Sequence, residues 1–187
     1  MAMKHANQDI FTVDEFKDWA ERQTSGRFEL DRGRVVAMAP ERIRHARVKA
    51  DIYAALGAGI TSAQLSCEAL PDGVSLRVAD DTLYEPDAMV RCGVKADGDA
   101  TEISDPVIVV EVLSPSSRGV DVGAKFARYF SLPSVRHYLI FDADRRTVIH
   151  HWKDEAGEIR SSILTSGTVK LDPPGIEMKI DAAFANA

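Results

Sequence analysis

The chain has 187 residues, 45% of them hydrophobic and 28% charged, which is typical of a folded globular protein and excludes global disorder. No apolar run approaches the roughly 20 residues that a membrane span needs, and the first residues lack the apolar stretch of a signal peptide. We therefore expect a cytoplasmic protein without a membrane partner. The net charge of −6 argues against broad electrostatic binding of duplex nucleic acid, although local cationic clusters can offset it.

The N-terminal part of the chain predicts a helix, a hairpin and a second helix. Thr12 and Glu15 have the spacing of a capping box, so the first helix follows Thr12 directly. Apolar residues recur at helical spacing after Pro40, which predicts the longer second helix. The predicted elements are a helix at Val13–Glu21, strands at 28–30 and 34–38 around a tight turn, and a helix at Glu41–Leu56.

The middle of the chain is rich in predicted strands. Turn signals and apolar runs place them at Gln64–Leu70, Gly73–Val78 and Glu85–Arg91, and a loop rich in Gly and Asp follows at 95–105. The most apolar run is Pro106–Leu113. Its continuous β-branched character predicts a central strand that is buried on both faces.

The two cysteines, Cys67 and Cys92, lie in apolar, strand-like surroundings. Their spacing suits neither a zinc site nor a disulfide framework. We therefore expect two buried free thiols in a reducing compartment.

The last third of the chain predicts a crossover and a hairpin. The predicted elements are a helix at Asp121–Ser131, a strand at Val135–Phe141, a hairpin formed by 147–152 and 158–164, and a weak strand from Lys170. A strand, a helix and another strand in succession imply a parallel pair. We therefore predict an α/β fold with a mixed central β-sheet flanked by helices.

We expect a single domain that covers residues 1–187. The N-terminal helix and hairpin would span 10–40, the catalytic core 41–152, and the C-terminal strands and tail 153–187. The sequence shows no internal repeat, no low-complexity segment and no linker that would divide the chain.

Glu111 is the most informative residue for chemistry. A carboxylate inside an apolar strand loses solvation, which is costly unless it is paired or binds a cation. Asp87 follows Pro86 at the start of a neighbouring strand, and two carboxylates at the same height form a hard-oxygen pocket suited to Mg²⁺. Lys125 lies one helix later, where its long stem could reach the same point and stabilise a phosphate or an attacking water.

This order of residues resembles the PD-(D/E)XK nuclease superfamily and, more closely, the Uma-two family of restriction endonuclease-like proteins. The resemblance runs from Thr12 to about Trp152 and includes FELDRG, YEPD, VVEVLSPSS and the Asp121-x-x-x-Lys125 spacing. The simple signature places its lysine two positions after the second acid, where this chain has Leu113. Lys125 instead fits the branches that carry the lysine on the following helix.

The resemblance implies a DNA endonuclease that uses Mg²⁺ or Mn²⁺. Asp87, Glu111 and the Val112 carbonyl would bind the metal, and Lys125 would position the water or stabilise the leaving charge. Two supporting roles are also implied: Glu29 as an additional acid, and Asp121 as a partner that holds Lys125. Independently of the resemblance, His45 lies beside Arg44 and Arg47 and could contact phosphate.

Plainer explanations remain open for several of these residues taken singly. Lys125 and His45 have the spacing of exposed helix residues, and Glu29 could lie on the surface of its hairpin. Two other functions also remain open: a catalytically idle, nuclease-like module that binds nucleic acid or protein, and hydrolysis of a smaller phosphoester. A homodimer could form through the strand at Val135 or through the C-terminal hairpin.

Overall fold

The computed structural model describes residues 10–113 and 121–187, and of residues 121 and 122 it describes the backbone alone. The helices are α1 (Val13–Glu21), α2 (Ile43–Ser62) and α3 (Asp121–Ser131), and a 3₁₀ helix covers Ile180–Phe184. The strands are β1 (Phe28–Asp31), β2 (Arg34–Ala37), β3 (Cys67–Pro71), β4 (Ser75–Ala79), β5 (Thr82–Tyr84), β6 (Ala88–Cys92), β7 (Glu102–Ile103), β8 (Ile108–Leu113), β9 (His137–Asp142), β10 (Thr147–Lys153), β11 (Ile159–Leu164), β12 (Thr168–Leu171) and β13 (Ile176–Lys179).

A six-stranded mixed sheet forms the centre of the fold, in the order β11-β10-β9-β8-β6-β3. Strands β8 and β9 are parallel and connect through α3, as the predicted crossover requires, whereas the other neighbours are antiparallel. The α/β class with a mixed central sheet is therefore confirmed. Across the described ranges, we find no helix whose length and apolar character would let it span a bilayer.

The two faces of the central sheet carry different layers. Along β8, Val110 and Val112 pack with α2 and with strands β12 and β13, whereas Val109 packs with α3. Because side chains alternate along a strand, Glu111 lies on the same face as Val109, towards α3. This alternation directs one carboxylate of the apolar strand to the layer that contains Lys125.

A second, five-stranded sheet lies against α3, in the order β2-β1-β5-β4-β7. The predicted strand at Glu85–Arg91 begins too early, because residues 85–87 connect β5 in the second sheet to β6 in the first. Pro86 lies in this connection, and proline lacks the N–H that a continuous ladder requires. The chain thus passes from one sheet to the other immediately before Asp87.

Several predicted boundaries match the structure and others do not. Helices α1 and α3 have the predicted limits, and Thr12 and Glu15 form the expected capping box. Helix α2 starts later and continues to Ser62, because its buried apolar side extends to Ile60. The division of the chain near 40 and 152 stays a prediction.

The expectation of free cysteines is wrong. Strands β3 and β6 pair so that Cys67 lies opposite Cys92, and the two sulfurs form a disulfide. Cys92 is also exposed rather than buried. Sequence spacing could not reveal this pairing, because it depends on the register of two strands joined by a long connection.

The central position of β9 also corrects one suggested dimer interface. Val135 is fully buried, and β9 lies between β8 and β10 with every residue buried. This segment therefore cannot meet a second copy of the chain. Strand β11 lies at the edge of its sheet, and Ile163 on that strand is 71% exposed.

Candidate active site

Three carboxylates from different strands line one cavity of about 600 Å³. Glu111 comes from the end of β8, Asp87 from the entrance to β6, and Glu29 from β1 of the second sheet. The cavity therefore opens where the two sheets meet. Its other charged or polar lining residues are Arg27, Glu41, Arg42, His45, Lys49, Glu85 and Lys125.

Lys125 reaches this cavity from α3 and connects the two sheets. Its ammonium lies 3.1 Å from Glu111 Oε1 and 3.0 Å from Glu29 Oε1. The Tyr129 hydroxyl, one helical turn later, donates to the same Glu111 oxygen at 2.5 Å. Glu29 Oε1 also accepts from the Glu85 backbone N–H at 2.8 Å. The exposed-helix and hairpin-surface explanations of Lys125 and Glu29 are therefore wrong, because both side chains are largely buried in the cavity wall.

Asp87 is fixed by strand β8 and by helix α2. Its Oδ2 accepts the Val112 N–H at 2.5 Å, and its own N–H donates to the Val110 carbonyl at 3.0 Å. Its Oδ1 lies 2.7 Å from the ammonium of Lys49. The side chain is thus oriented by one main-chain donor and one cation, with Asp87 only 7% exposed.

Burial and mutual repulsion disfavour the charge on two of these carboxyl groups. Burial raises the pKa of Asp87 to about 6, and the Glu111 carboxylate adds to this effect while Lys49 opposes it. Burial also raises the pKa of Glu29, against the attraction of Lys125 and with the repulsion of Glu111. The neighbouring lysines therefore only partly compensate the negative charge of the cavity.

The lysines themselves stay charged. Burial lowers the pKa of Lys125, but the carboxylates of Glu111 and Glu29 outweigh this and raise it well above its ordinary value. For Lys49, burial is likewise outweighed by Asp87 and then Glu41, so its pKa is also raised. Each ammonium is therefore a permanent cation among acids.

His45 lies in the wall of the cavity, and its expected contact to phosphate stays a prediction. Its Nδ1 lies 2.8 Å from Glu41 Oε1, and its Nε2 lies 2.5 Å from the Val112 carbonyl oxygen. The ring therefore contacts the main-chain oxygen expected to bind metal, and it is not an exposed helix residue. The side chain of Asp121 lies outside the described residues, so its support of Lys125 stays a prediction.

Sequence reasoning missed the roles of Lys49 and Tyr129. Lys49 lies among other cationic residues in α2 and Tyr129 lies among apolar residues in α3, so neither stands out by its pattern. The available signal was spacing: Lys49 follows His45 by one helical turn, and Tyr129 follows Lys125 by one turn. Each pair therefore lies on one face of its helix.

The donor set at this cavity fits a hard divalent cation. The described residues contain no cluster of three or more His, Cys, Asp or Glu side chains arranged to hold a metal. Two carboxylates and a main-chain carbonyl are nevertheless the kind of oxygen donors that Mg²⁺ binds while it keeps several waters. The ammonium groups of Lys49 and Lys125 contact Asp87 and Glu111, so cations of the chain already balance part of the negative charge at this position.

Known proteins agree with this architecture. A family model, Uma2, described as "Putative restriction endonuclease", matches residues 13–184. The uncharacterized protein slr1290 of Synechocystis sp. is 24% identical over 173 residues, which cover 91% of this chain and 90% of that protein. The uncharacterized protein sll1609 of the same organism is 26% identical over 151 residues, which cover 79% and 84%.

A solved structure also shares the fold. It is the crystal structure of a protein from Anabaena variabilis that is described as a "putative nuclease belonging to DUF820". The TM-score is 0.76 with 15% identity, and the match covers 94% of this chain and 98% of that one. The fold is thus that of a restriction endonuclease-like protein. Because the family model matches nearly the whole chain, the protein belongs to the Uma2 family.

Proposed function

We propose that this protein is a metal-dependent endonuclease that hydrolyses phosphodiester bonds in DNA. The observation that carries the proposal is the convergence of Glu29, Asp87, Glu111 and Lys125 on one cavity, although they come from two sheets and a helix. Membership of a nuclease family supports the reaction class. We also propose a cytoplasmic location, where the enzyme would meet DNA.

Mg²⁺ or Mn²⁺ would be held by Asp87, Glu111 and the Val112 carbonyl, and it would supply Lewis-acid stabilisation of charge on the phosphate oxygens. The N–H of Val112 orients Asp87, and the Tyr129 hydroxyl orients Glu111. These hydrogen bonds fix the carboxylates before a ligand arrives, which reduces the cost of ordering them on binding.

Lys125 provides a positive charge for the reacting phosphate. Its ammonium is anchored by Glu111 on one side and Glu29 on the other, with only 13% of its side chain exposed. A buried cation interacts more strongly with a developing negative charge than a solvated one does. Glu29 has a raised pKa and lies beside this ammonium, so it is suited to accept or return a proton during hydrolysis.

The test is cleavage of plasmid DNA and labelled oligonucleotides by the purified protein with Mg²⁺, with Mn²⁺ and with a chelator. We expect cleavage that depends on the metal and falls at least a hundredfold in Asp87→Ala and Lys125→Ala, in line with loss of a group that stabilises the transition state. Lys17→Ala is the matched control, because Lys17 pairs with Glu102 outside the cavity. Unchanged cleavage in both site variants would refute the proposal.

One observation favours a non-catalytic alternative. Lys49 and His45 contact two of the oxygens that would bind metal, Asp87 Oδ1 and the Val112 carbonyl. A nuclease-like module that only binds nucleic acid would retain these contacts permanently. It would bind DNA equally well with and without a divalent ion, and Mn²⁺ titration calorimetry would show no heat of binding.

We also propose that two copies of the chain pair to cut both strands of a duplex. The exposed edge of β11, which presents Ile163, is the part of the C-terminal hairpin that remains available. Sedimentation of the protein and of an Ile163→Lys variant tests this arrangement. A monomer at all concentrations would contradict it.

A further inference from the structure

Lys49 is a buried lysine in an unusually acidic environment. Its ammonium lies 2.6 Å from Glu41 Oε1, 2.7 Å from Asp87 Oδ1 and 3.1 Å from Asp72 Oδ2. Only 10% of the side chain is exposed. Lysines are rarely buried to this degree unless they are paired, and this one has three carboxylate partners.

The three partners come from separate parts of the fold. Glu41 precedes α2, Asp72 lies in the turn between β3 and β4, and Asp87 lies at the entrance to β6. Oxygen donors from several elements around one positive centre form the kind of environment that proteins provide for a bound divalent ion. In this fold the positive charge among these oxygens is the ammonium of Lys49.

Asp87 links this centre to the proposed catalytic cavity. Its Oδ1 contacts Lys49, and its Oδ2 accepts the N–H of Val112, whose carbonyl is a proposed metal ligand. One carboxylate therefore contacts the Lys49 ammonium with one oxygen and lies beside a proposed metal ligand with the other. In two-metal nucleases a carboxylate in such a place commonly bridges two ions about 4 Å apart.

We propose that the Lys49 ammonium takes the place of a second metal ion, so that the site requires a single divalent cation. This inference rests on the proposed function. Lys49 is then a positioning residue that holds Asp87 through Oδ1 and balances its charge. Lys49 is a buried residue of α2, as are Val48 and Ile52, so its hydrophobic stem is largely removed from solvent.

Removal of the ammonium should open a second metal position. Lys49→Met keeps the length of the side chain but leaves Glu41, Asp72 and Asp87 without their shared cation. A second divalent ion should then bind among them. We therefore expect Mn²⁺ titration calorimetry to show one bound ion in the wild-type protein and two in Lys49→Met.

Two further variants serve as controls. Lys49→Arg retains the positive charge and should keep the single-ion stoichiometry. Lys17→Met removes a lysine that pairs with Glu102 away from the cavity and should also bind one ion. A Lys49→Met protein that binds one ion with wild-type affinity would overturn the inference, because Lys49 would then be only a structural partner.

Loss of folding in the variant would also be informative. If Lys49→Met is unfolded in chelator, the proposal predicts that Mn²⁺ restores its circular dichroism spectrum, and that it does not restore that of Lys49→Met with Asp87→Asn. Failure of Mn²⁺ to restore the single variant would overturn the proposal. A wild-type protein that binds no Mn²⁺ would instead contradict the proposed function, so the two failures are distinguishable.

Discussion

Replacing Asp87 with asparagine should make the metal-free protein more stable at pH 8. The pKa of Asp87 is raised from 3.8 to about 6, chiefly by burial and then by Glu111. Because this carboxyl group holds its proton more tightly in the folded chain, the protein loses stability as the pH rises from the pKa of the unfolded state to that of the folded state. The full cost, about 3 kcal/mol at 1.36 kcal/mol per pH unit, is therefore present above pH 6.

Asparagine removes this cost and retains most of the local structure. Its amide oxygen can accept the Val112 N–H as Asp87 Oδ2 does, and Lys49 retains Glu41 and Asp72. The cost of about 3 kcal/mol already includes the attraction to Lys49, so we expect a gain of up to about 3 kcal/mol in the free energy of unfolding. For a domain of this size this corresponds to a rise in Tm of roughly 2–4 °C per kcal/mol.

The assay is urea denaturation in chelator at pH 8 and at pH 4, where wild-type Asp87 is protonated in the folded state. The free energy of unfolding of Asp87→Asn should exceed that of the wild-type protein by a large amount at pH 8 and by a small amount at pH 4. The variant should also no longer bind Mn²⁺. Asp105→Asn is the matched control, because the hydrogen bond from Arg91 lowers the pKa of the Asp105 carboxyl group in the wild-type protein. This variant should lose up to about 1 kcal/mol in the free energy of unfolding. An Asp87→Asn protein less stable than wild type at pH 8 would refute the reasoning.

Three other predictions concern the scaffold. Burial lowers the pKa of His137 to about 4 and that of His150 to about 3. The free energy of unfolding should therefore be highest above pH 6.5 and should fall as the pH drops, by up to about 3 kcal/mol for His137 towards pH 4. His150→Gln should reduce the slope of the unfolding free energy against pH, and an unchanged slope would contradict this. Thr12→Ala removes the capping box and should cost about 1 kcal/mol in thermal denaturation without affecting DNA cleavage. Cys67 and Cys92 should resist alkylation until reductant is added, and reduction should lower stability by about 3 kcal/mol; labelling without reductant would exclude the disulfide.

Local signals explain which elements could be predicted from sequence. The capping box at Thr12 and the apolar spacing of α3 act within a few residues, and both helices have the predicted limits. The strand predicted at Glu85–Arg91 begins only at Ala88, because residues 85–87 connect β5 in one sheet to β6 in the other. The sheet that each strand joins depends on partners distant in sequence, which a local pattern does not reveal.

The same distinction applies to the site. Glu111 could be selected from sequence because a carboxylate in a Val-rich strand requires a compensating partner. Lys49 could not, because a lysine in a helix with other cations has the pattern of a solvent-exposed face. Its burial follows from Asp72 and Asp87, whose positions beside α2 are set by tertiary packing.

The charges in the cavity differ from those of ordinary ion pairs in the same protein. Where Arg91 pairs with Asp105 near the surface, the pKa of the carboxyl group is lowered, so the pair favours the charged form and needs no further cation. In the cavity, Asp87 and Glu29 each have a lysine at hydrogen-bond distance, yet their pKa values are raised. The two lysines therefore leave part of the electrostatic cost uncompensated, and an additional cation would reduce it. Loss of one of these acids should therefore stabilise the metal-free protein, and the proposed metal is the cation that would reduce this electrostatic cost.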